Sequence, residues 1–275
     1  GRVIGEYPHL HKIKISKMFN LVGKNAFISG ASRGLGRQFA NALAKAGANV
    51  VITSRTLESL ETTKQEIESI GRKCINIEME VLEEDSIINA VKKAETELGP
   101  INILINNAGC NIRKPALEVT WEDWETVVDT NLKGAFFLAK EIAKGMTERG
   151  YGRIVNIGSV TSVAGYAGLG PYGASRGGIK QLTMSLAHDW GDKGVTVNCL
   201  APGWFKTEQN ANLFENSDWV SYIEEKIPLG RVGRPNDLDG TCIFLSSDAS
   251  AYVTGQTLLV DGGISVGAVR AMPND

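Results

Sequence analysis

Short apolar runs alternate with amphipathic stretches along most of the chain. Runs at 25–29, 49–54, 73–79, 101–106, 153–157, 195–200 and 257–260 read as seven strands. Between them, 34–46, 57–70, 83–98, 121–149 and 172–190 carry apolar residues at helical spacing, the fourth interrupted near Gly134. Strands that are apolar throughout, rather than alternating, belong to a parallel sheet buried on both faces, with the intervening helices as covering layers. The pattern predicts an α/β chain: one doubly wound domain of seven parallel strands with helices on both faces. No repeat, low-complexity tract or Pro/Ser-rich linker divides it, so 18–275 reads as a single domain although 275 residues permit two.

Two segments stand outside the alternation. Residues 1–17 mix charged and apolar positions and lack the roughly 7–15-residue apolar core of a secretory signal. They are expected to be an extension without a share in function: a vector remnant, an upstream read-through or an oligomer arm. Residues 204–228 are too long for an ordinary connection and carry Trp204, Phe205, Phe214, Trp219 and Tyr222. Long connections in such folds are often lids; a helical pair packed on the surface is the plainer alternative.

Composition narrows the chemistry. Lys+Arg total 29 and Asp+Glu 31, a net charge of −2, so the basic excess of a nucleic-acid binder is missing. No stretch approaches the roughly 20 apolar residues of a membrane span. Four separated cysteines and three histidines, two of these within the first dozen residues, offer neither a disulfide framework nor a metal site and point to the cytoplasm. The one excess is glycine: 31 of 275 is about 11%, against a usual share of about 7%.

Part of that glycine is concentrated. Strand one runs into Ser29-Gly30-Ala31-Ser32-Arg33-Gly34-Leu35-Gly36, then a helix. A strand, a glycine-rich turn and a helix bring backbone N–H groups to a pyrophosphate without side chains in the way. NAD-preferring folds place a carboxylate after the second strand for the ribose 2′-hydroxyl. Here Ser54-Arg55 stands there, with Arg33 inside the turn. Two guanidiniums suit a 2′-phosphate and favour NADP(H) over NAD(H).

Further segments follow in order: Asn106-Asn107-Ala108-Gly109, Asn131 in Asp129-Thr130-Asn131-Leu132, Ser159 ending the fifth strand, Tyr172-Gly173-Ala174-Ser175-Arg176, Pro202-Gly203-Trp204-Phe205-Lys206-Thr207, and Val260-Asp261-Gly262-Gly263. With SGASRGLG, they closely resemble the short-chain dehydrogenase/reductase family over nearly all of 18–275. The resemblance implies a seven-stranded Rossmann sheet, a usual homotetramer, and hydride exchange between a nicotinamide cofactor and a carbonyl or secondary alcohol. By position, Tyr172 would be the general acid in reduction, Ser159 would hold the carbonyl oxygen, and Asn131 would anchor a proton-relay water. Gly30, Ser32, Arg33, Gly34, Leu35, Gly36, Arg55, Glu80, Val81, Asn107, Ala108, Gly109, Tyr172, Arg176, Pro202, Gly203 and Thr207 would line the cofactor. Residues i and i+4 of a helix share a face, and a tyrosine of reference pKa about 10 needs a neighbouring cation to act near neutrality.

The family pattern YxxxK has lysine where this chain has Arg176. Arginine keeps the charge and the donors but cannot be deprotonated in a protein, so it is a poor relay member. Lys180, about 12 Å further along the helix, is no obvious substitute. Arg176 therefore leaves three expectations open: an active enzyme with altered rate or pH dependence, an NADP(H)-binding protein with little turnover, or a change introduced to trap a complex.

For the substrate, Arg113-Lys114 after the NNAG turn places two cations at the mouth, suited to an anion such as a sugar acid, or else two solvated loop charges. NIRKPALE resembles gluconate 5-dehydrogenases of the family, with Arg113 on the carboxylate. Ser159, Tyr172, Trp204 and Phe205 complete the expected substrate contacts. A 3-oxoacyl carrier-protein reductase is the alternative enzyme.

Overall fold

The computed structural model describes residues 14–267; residues 1–13 of the expected extension lie outside the described residues. Seven strands, β1 (Asn25–Ile28), β2 (Asn49–Ser54), β3 (Cys74–Glu78), β4 (Ile103–Asn106), β5 (Gly152–Ile157), β6 (Val195–Pro202) and β7 (Thr257–Val260), form one sheet in the order β3-β2-β1-β4-β5-β6-β7. Every pairing is parallel. The main helices are α1 (Gly34–Lys45), α2 (Glu61–Ser69), α3 (Glu84–Leu98), α4 (Trp121–Val128), α5 (Gly134–Arg149), α6 (Gly170–Trp190), α7 (Ser217–Lys226) and α8 (Asp239–Ser246).

Apolar runs become central strands because successive side chains point to opposite faces and both faces are covered. Ile28, Ile52, Ile103 and Ile105 meet Phe39 and Leu43 of α1, Ile67 of α2 and Leu245 of α8. Their neighbours Phe27, Val51 and Leu104, with Ile154 and Val197, meet Ile87 and Val91 of α3, Leu138 and Ile142 of α5 and Leu186 of α6. The helix after β1 thus covers one face and the helix after β4 the other, which opens a crevice at the carboxyl ends of these two adjacent strands.

The observed element ends refine the expected ones where they bear on the site. β6 runs two residues further than its apolar stretch suggests, carrying Pro202 to the carboxyl edge. The 121–149 stretch divides at the expected place into α4 and α5, joined by the π-helical segment Asp129–Lys133. Within α6, Gly178 is required by packing, since a Cβ there would lie 2.7 Å from Leu132 Cδ2.

At the crevice, Gly30 and Gly34 hold φ of +64° and +56°, a region costly for other residues. Gly36 is required for a different reason: a Cβ there would collide with the Gly30 carbonyl and the Asn107 side chain. Gly36→Ala is expected to cost about 1–3 kcal/mol through overpacking against backbone, read as a lower urea midpoint with an unchanged m-value.

Candidate active site

The glycine turn is fixed from several directions. Ser29 Oγ accepts from both Asn107 N and Ala108 N at 3.0 Å, and Asn107 Nδ2 donates to the Gly30 carbonyl at 3.1 Å. Ala31 N donates to Thr53 O at 3.1 Å, and buried Thr63 Oγ1 donates to Ala31 O at 2.9 Å. The first turn of α1 follows with no acidic residue in it. Ser32 is half-buried; Leu35 packs on the core beneath. This is a cradle that side chains would fill, and it fits a pyrophosphate at a helix N-terminus.

Arg33, on extended backbone before α1, and Arg55, beyond β2, are both exposed, and their side chains have no hydrogen-bond or ion-pair partner among the described residues. At the end of β3, Glu80 N donates to Ser86 Oγ at 2.9 Å and Glu80 Oε1 accepts from Leu82 N at 3.1 Å. Val81 packs against the backbone of Gly134. Pro202 and Gly203 end β6, Gly203 lying against Asp261 so closely that a Cβ would sit 2.7 Å from its Cα. Thr207 and Glu208 stand near Gly34, each about 3.8 Å from where its Cβ would be.

The reacting groups come from three elements. Asn131, fully buried in the π segment, accepts from Cys110 N at 2.8 Å through Oδ1. Its Nδ2 donates to Cys110 O at 2.9 Å and Ser175 Oγ at 3.1 Å, and Ser175 Oγ donates to Tyr172 O at 2.7 Å. The Asn131 side chain is thereby engaged in tying the NNAG turn to α6. α6 begins at Gly170 with Pro171 in its first turn, where a missing N–H is harmless, and this start presents Tyr172.

Ser159, two residues beyond β5, is the N-cap of a short 3₁₀ turn. Its Oγ accepts from Thr161 N at 3.2 Å, its N donates to Ser162 Oγ at 3.2 Å, and Ser162 Oγ donates to Arg176 O at 2.8 Å. Ser162 and Ser175, which no motif singled out, therefore lock Ser159, Tyr172, Arg176 and Asn131 into one frame.

Arg176 is 6% exposed. Its Nη1 donates to Ile157 O at 2.7 Å and its Nη2 lies over Gly109, where a Cβ would come within 2.7 Å. Its Nε is buried without a partner, and the guanidinium carbon stands 5.2 Å from the centre of the Tyr172 ring. No carboxylate pairs with it among the described residues. The i,i+4 neighbourhood expected from sequence is present, and the cation is buried and unneutralised. The thiols nearby are poor nucleophiles: burial pushes Cys199 up to about 11, opposed by Arg176, and burial raises Cys110 as well.

Of the two cations expected at the mouth, one is paired among the described residues. Lys114 is paired with Asp123 at 2.7 Å, while Arg113 is exposed with its stem on Gly168 and no ion-pair partner among the described residues. Phe205 departs from expectation too. It is 5% exposed and sits among core residues, its ring filling the space a Cβ at Gly233 would need, so it braces the loop. Trp204 packs edge to face with Trp219 of α7 and with Tyr166, a residue that sequence reasoning passed over because a lone tyrosine in a loop carries no motif.

Comparison with known proteins agrees with this geometry. A family model described as "Enoyl-(Acyl carrier protein) reductase" matches residues 30–265. The gluconate 5-dehydrogenase of Gluconobacter oxydans is 42% identical over 249 residues, 90% of this chain and 97% of that protein. The structure of a gluconate 5-dehydrogenase from Burkholderia cenocepacia in complex with NADP and tartrate superposes with a TM-score of 0.90 at 36% identity, covering 93% of this chain and 100% of that one. A 3-oxoacyl (acyl-carrier-protein) reductase from Agrobacterium tumefaciens with NADP bound gives a TM-score of 0.87 at 28% identity, over 92% and 99% of the two chains.

The two unpartnered guanidiniums generate a direct test of the cradle. Replacing Arg33 with Ser and Arg55 with Asp is expected to weaken NADPH at least tenfold, about the worth of one charge-assisted hydrogen bond. Fluorescence titration should show NADH affinity within about threefold of the parent.

Proposed function

The chain belongs to the short-chain dehydrogenase/reductase family, and on that footing we propose that it interconverts the ketone and secondary alcohol of a small sugar acid, using NADP(H). The observation that carries this reading is the combination of unpaired Arg33 and Arg55 beyond the glycine cradle with unpaired Arg113 at the mouth. The first pair suits a 2′-phosphate and the third a substrate carboxylate.

When bound, NADP(H) supplies or takes the hydride. Asn107, Ala108 and Gly109 would hold its adenosine side, and Pro202, Gly203 and Thr207 its nicotinamide end. Ser159 Oγ accepts from Thr161 N, which leaves its own proton to donate to the substrate oxygen as charge develops there. Tyr172 Oη delivers a proton to that oxygen in reduction and removes it in oxidation. Arg176 holds a fixed positive charge beside the Tyr172 ring, its guanidinium carbon 5.2 Å from the ring centre. Its Nη1 is engaged by Ile157 O and it releases no proton, so the path by which Tyr172 is reprotonated bypasses position 176. Asn131 acts through its grip on Cys110 and Ser175, keeping the cofactor turn and α6 in register.

The carrier-protein alternative requires a basic docking surface. The segment leading from the mouth instead carries exposed Glu118, Glu122 and Glu125, which would repel an acidic carrier. A homotetramer belongs to the same reading: Gly173 and Gly177 on α6 face open space, admitting a close neighbouring helix, and Trp121 is 82% exposed. No helix among the described residues is long and apolar enough to cross a membrane, and the reading keeps a cytoplasmic enzyme whose lid is residues 204–228.

The decisive measurement follows NADPH absorbance with a panel of keto-acids including 5-keto-gluconate. Turnover with the sugar acid, at least tenfold faster than with NADH, is expected; NADPH binding without turnover on any member would overturn the enzyme reading in favour of a cofactor-binding protein. Arg176→Lys restores a dissociable proton next to Tyr172 and is expected to raise ketone reduction about three- to tenfold or to lower its pH optimum. An unchanged rate and profile would mean that the charge alone is what position 176 contributes.

A further inference from the structure

Between Ser159 and Tyr172 the chain crosses the mouth of the site as a strap, residues 163–169. One end is fixed by Lys114 N donating to Gly168 O at 3.1 Å, with the Arg113 stem against Gly168. The middle of the strap carries Tyr166, which opens a ladder of edge-to-face rings: Tyr166 to Trp204 at 5.7 Å, Trp204 to Trp219 at 5.1 Å, Trp219 to Phe214 at 5.5 Å. The strap, the loop after β6 and the 204–228 insertion are thus joined through Trp204.

This ladder contains two hydrogen-bond donors without acceptors. Trp204 Nε1 is buried and has no partner of good geometry. It nevertheless lies close enough to the Tyr166 hydroxyl to oppose the upward push that burial gives that phenol. The Tyr166 O–H has no acceptor among the described residues. A buried donor left unpaired is rare and calls for a partner; here the buried Trp204 Nε1 stands beside the half-buried Tyr166, on the strap that also braces Arg113.

We propose that Trp204 Nε1 and Tyr166 Oη form a two-donor station for one oxygen of the substrate, a hydroxyl distinct from the carboxylate taken by Arg113. The inference rests on the sugar-acid reading above and deepens it. The station discriminates polyhydroxylated acids from their deoxy counterparts, because a substrate lacking that oxygen leaves both donors unpaired.

The test uses Tyr166→Phe, which removes one atom, Trp204→Phe, which keeps an aromatic ring, and their double variant. Each should lower kcat/KM for the hydroxylated keto-acid about tenfold, mainly through KM, with NADP+ affinity unchanged. A deoxy keto-acid should be affected less than twofold. Calorimetric titration of the NADP+-loaded protein with sodium gluconate should show matching losses, and the double variant should lose no more than about thirtyfold, since both groups serve one atom. Equal losses for the deoxy substrate, strictly multiplicative losses in the double variant, or wild-type affinity in Tyr166→Phe would each overturn the proposal. A parent that turns over sugar acids while these variants match it removes the station alone; a parent that neither turns them over nor binds gluconate removes the sugar-acid reading with it.

Discussion

The site depends on one hydroxyl. Ser29 Oγ accepts two backbone N–H groups from the turn after β4 while belonging to the turn after β1. Those strands are neighbours whose following helices depart to opposite faces, so nothing in the sheet ladder itself holds the two turns together past the strand ends. Ser29 supplies that bond, Asn107 returns it to the Gly30 carbonyl, and the missing side chain of Gly36 leaves room for both. From this joint the remaining positions follow outward: Gly109 beneath the Arg176 guanidinium, Cys110 in the grip of Asn131, and Asn131 on Ser175 at the foot of α6.

The electrostatics divide sharply between the two ends of this frame. Arg33 and Arg55 are exposed, easily solvated cations that lose little water until an anion arrives. Arg176 has lost nearly all of its water already and is met, among the described residues, by one carbonyl, one aromatic ring and no acid. An isolated buried charge of this kind is costly, and a lysine of the same span would have had the option of neutralising itself. The arginine has none, so the cost is carried by the packing of α6 against β5 and by Ser162, which links the backbones of Ser159 and Arg176.

Much of this was legible in the sequence because it obeys local rules. Unbroken apolar runs announced a two-faced parallel sheet, the spacing of Gly30, Gly34 and Gly36 announced the cradle, and the i,i+4 relation of Tyr172 and Arg176 placed their side chains together. The misreadings arose where tertiary contacts decide. Phe205 is aromatic and adjacent to Trp204, yet only Gly233, far along the chain, creates the hollow that buries it. Lys114 reads as a free charge until the start of α4 brings Asp123 to it. Tyr166, Ser162 and Ser175 have ordinary identities and gain their meaning from partners that no spacing rule connects.

The π segment has a geometric consequence for the long helical stretch. Val127, Asn131 and Ala135 are all buried, yet eight residues of regular α-helix advance by about 80° beyond two full turns, which would carry one end of this series toward solvent. The wider turn at Asp129–Lys133 absorbs the surplus rotation. α4 and α5 therefore keep separate phases, each with its own apolar face, and the seam between them is where a polar side chain is admitted to the interior. Asn131 occupies that seam.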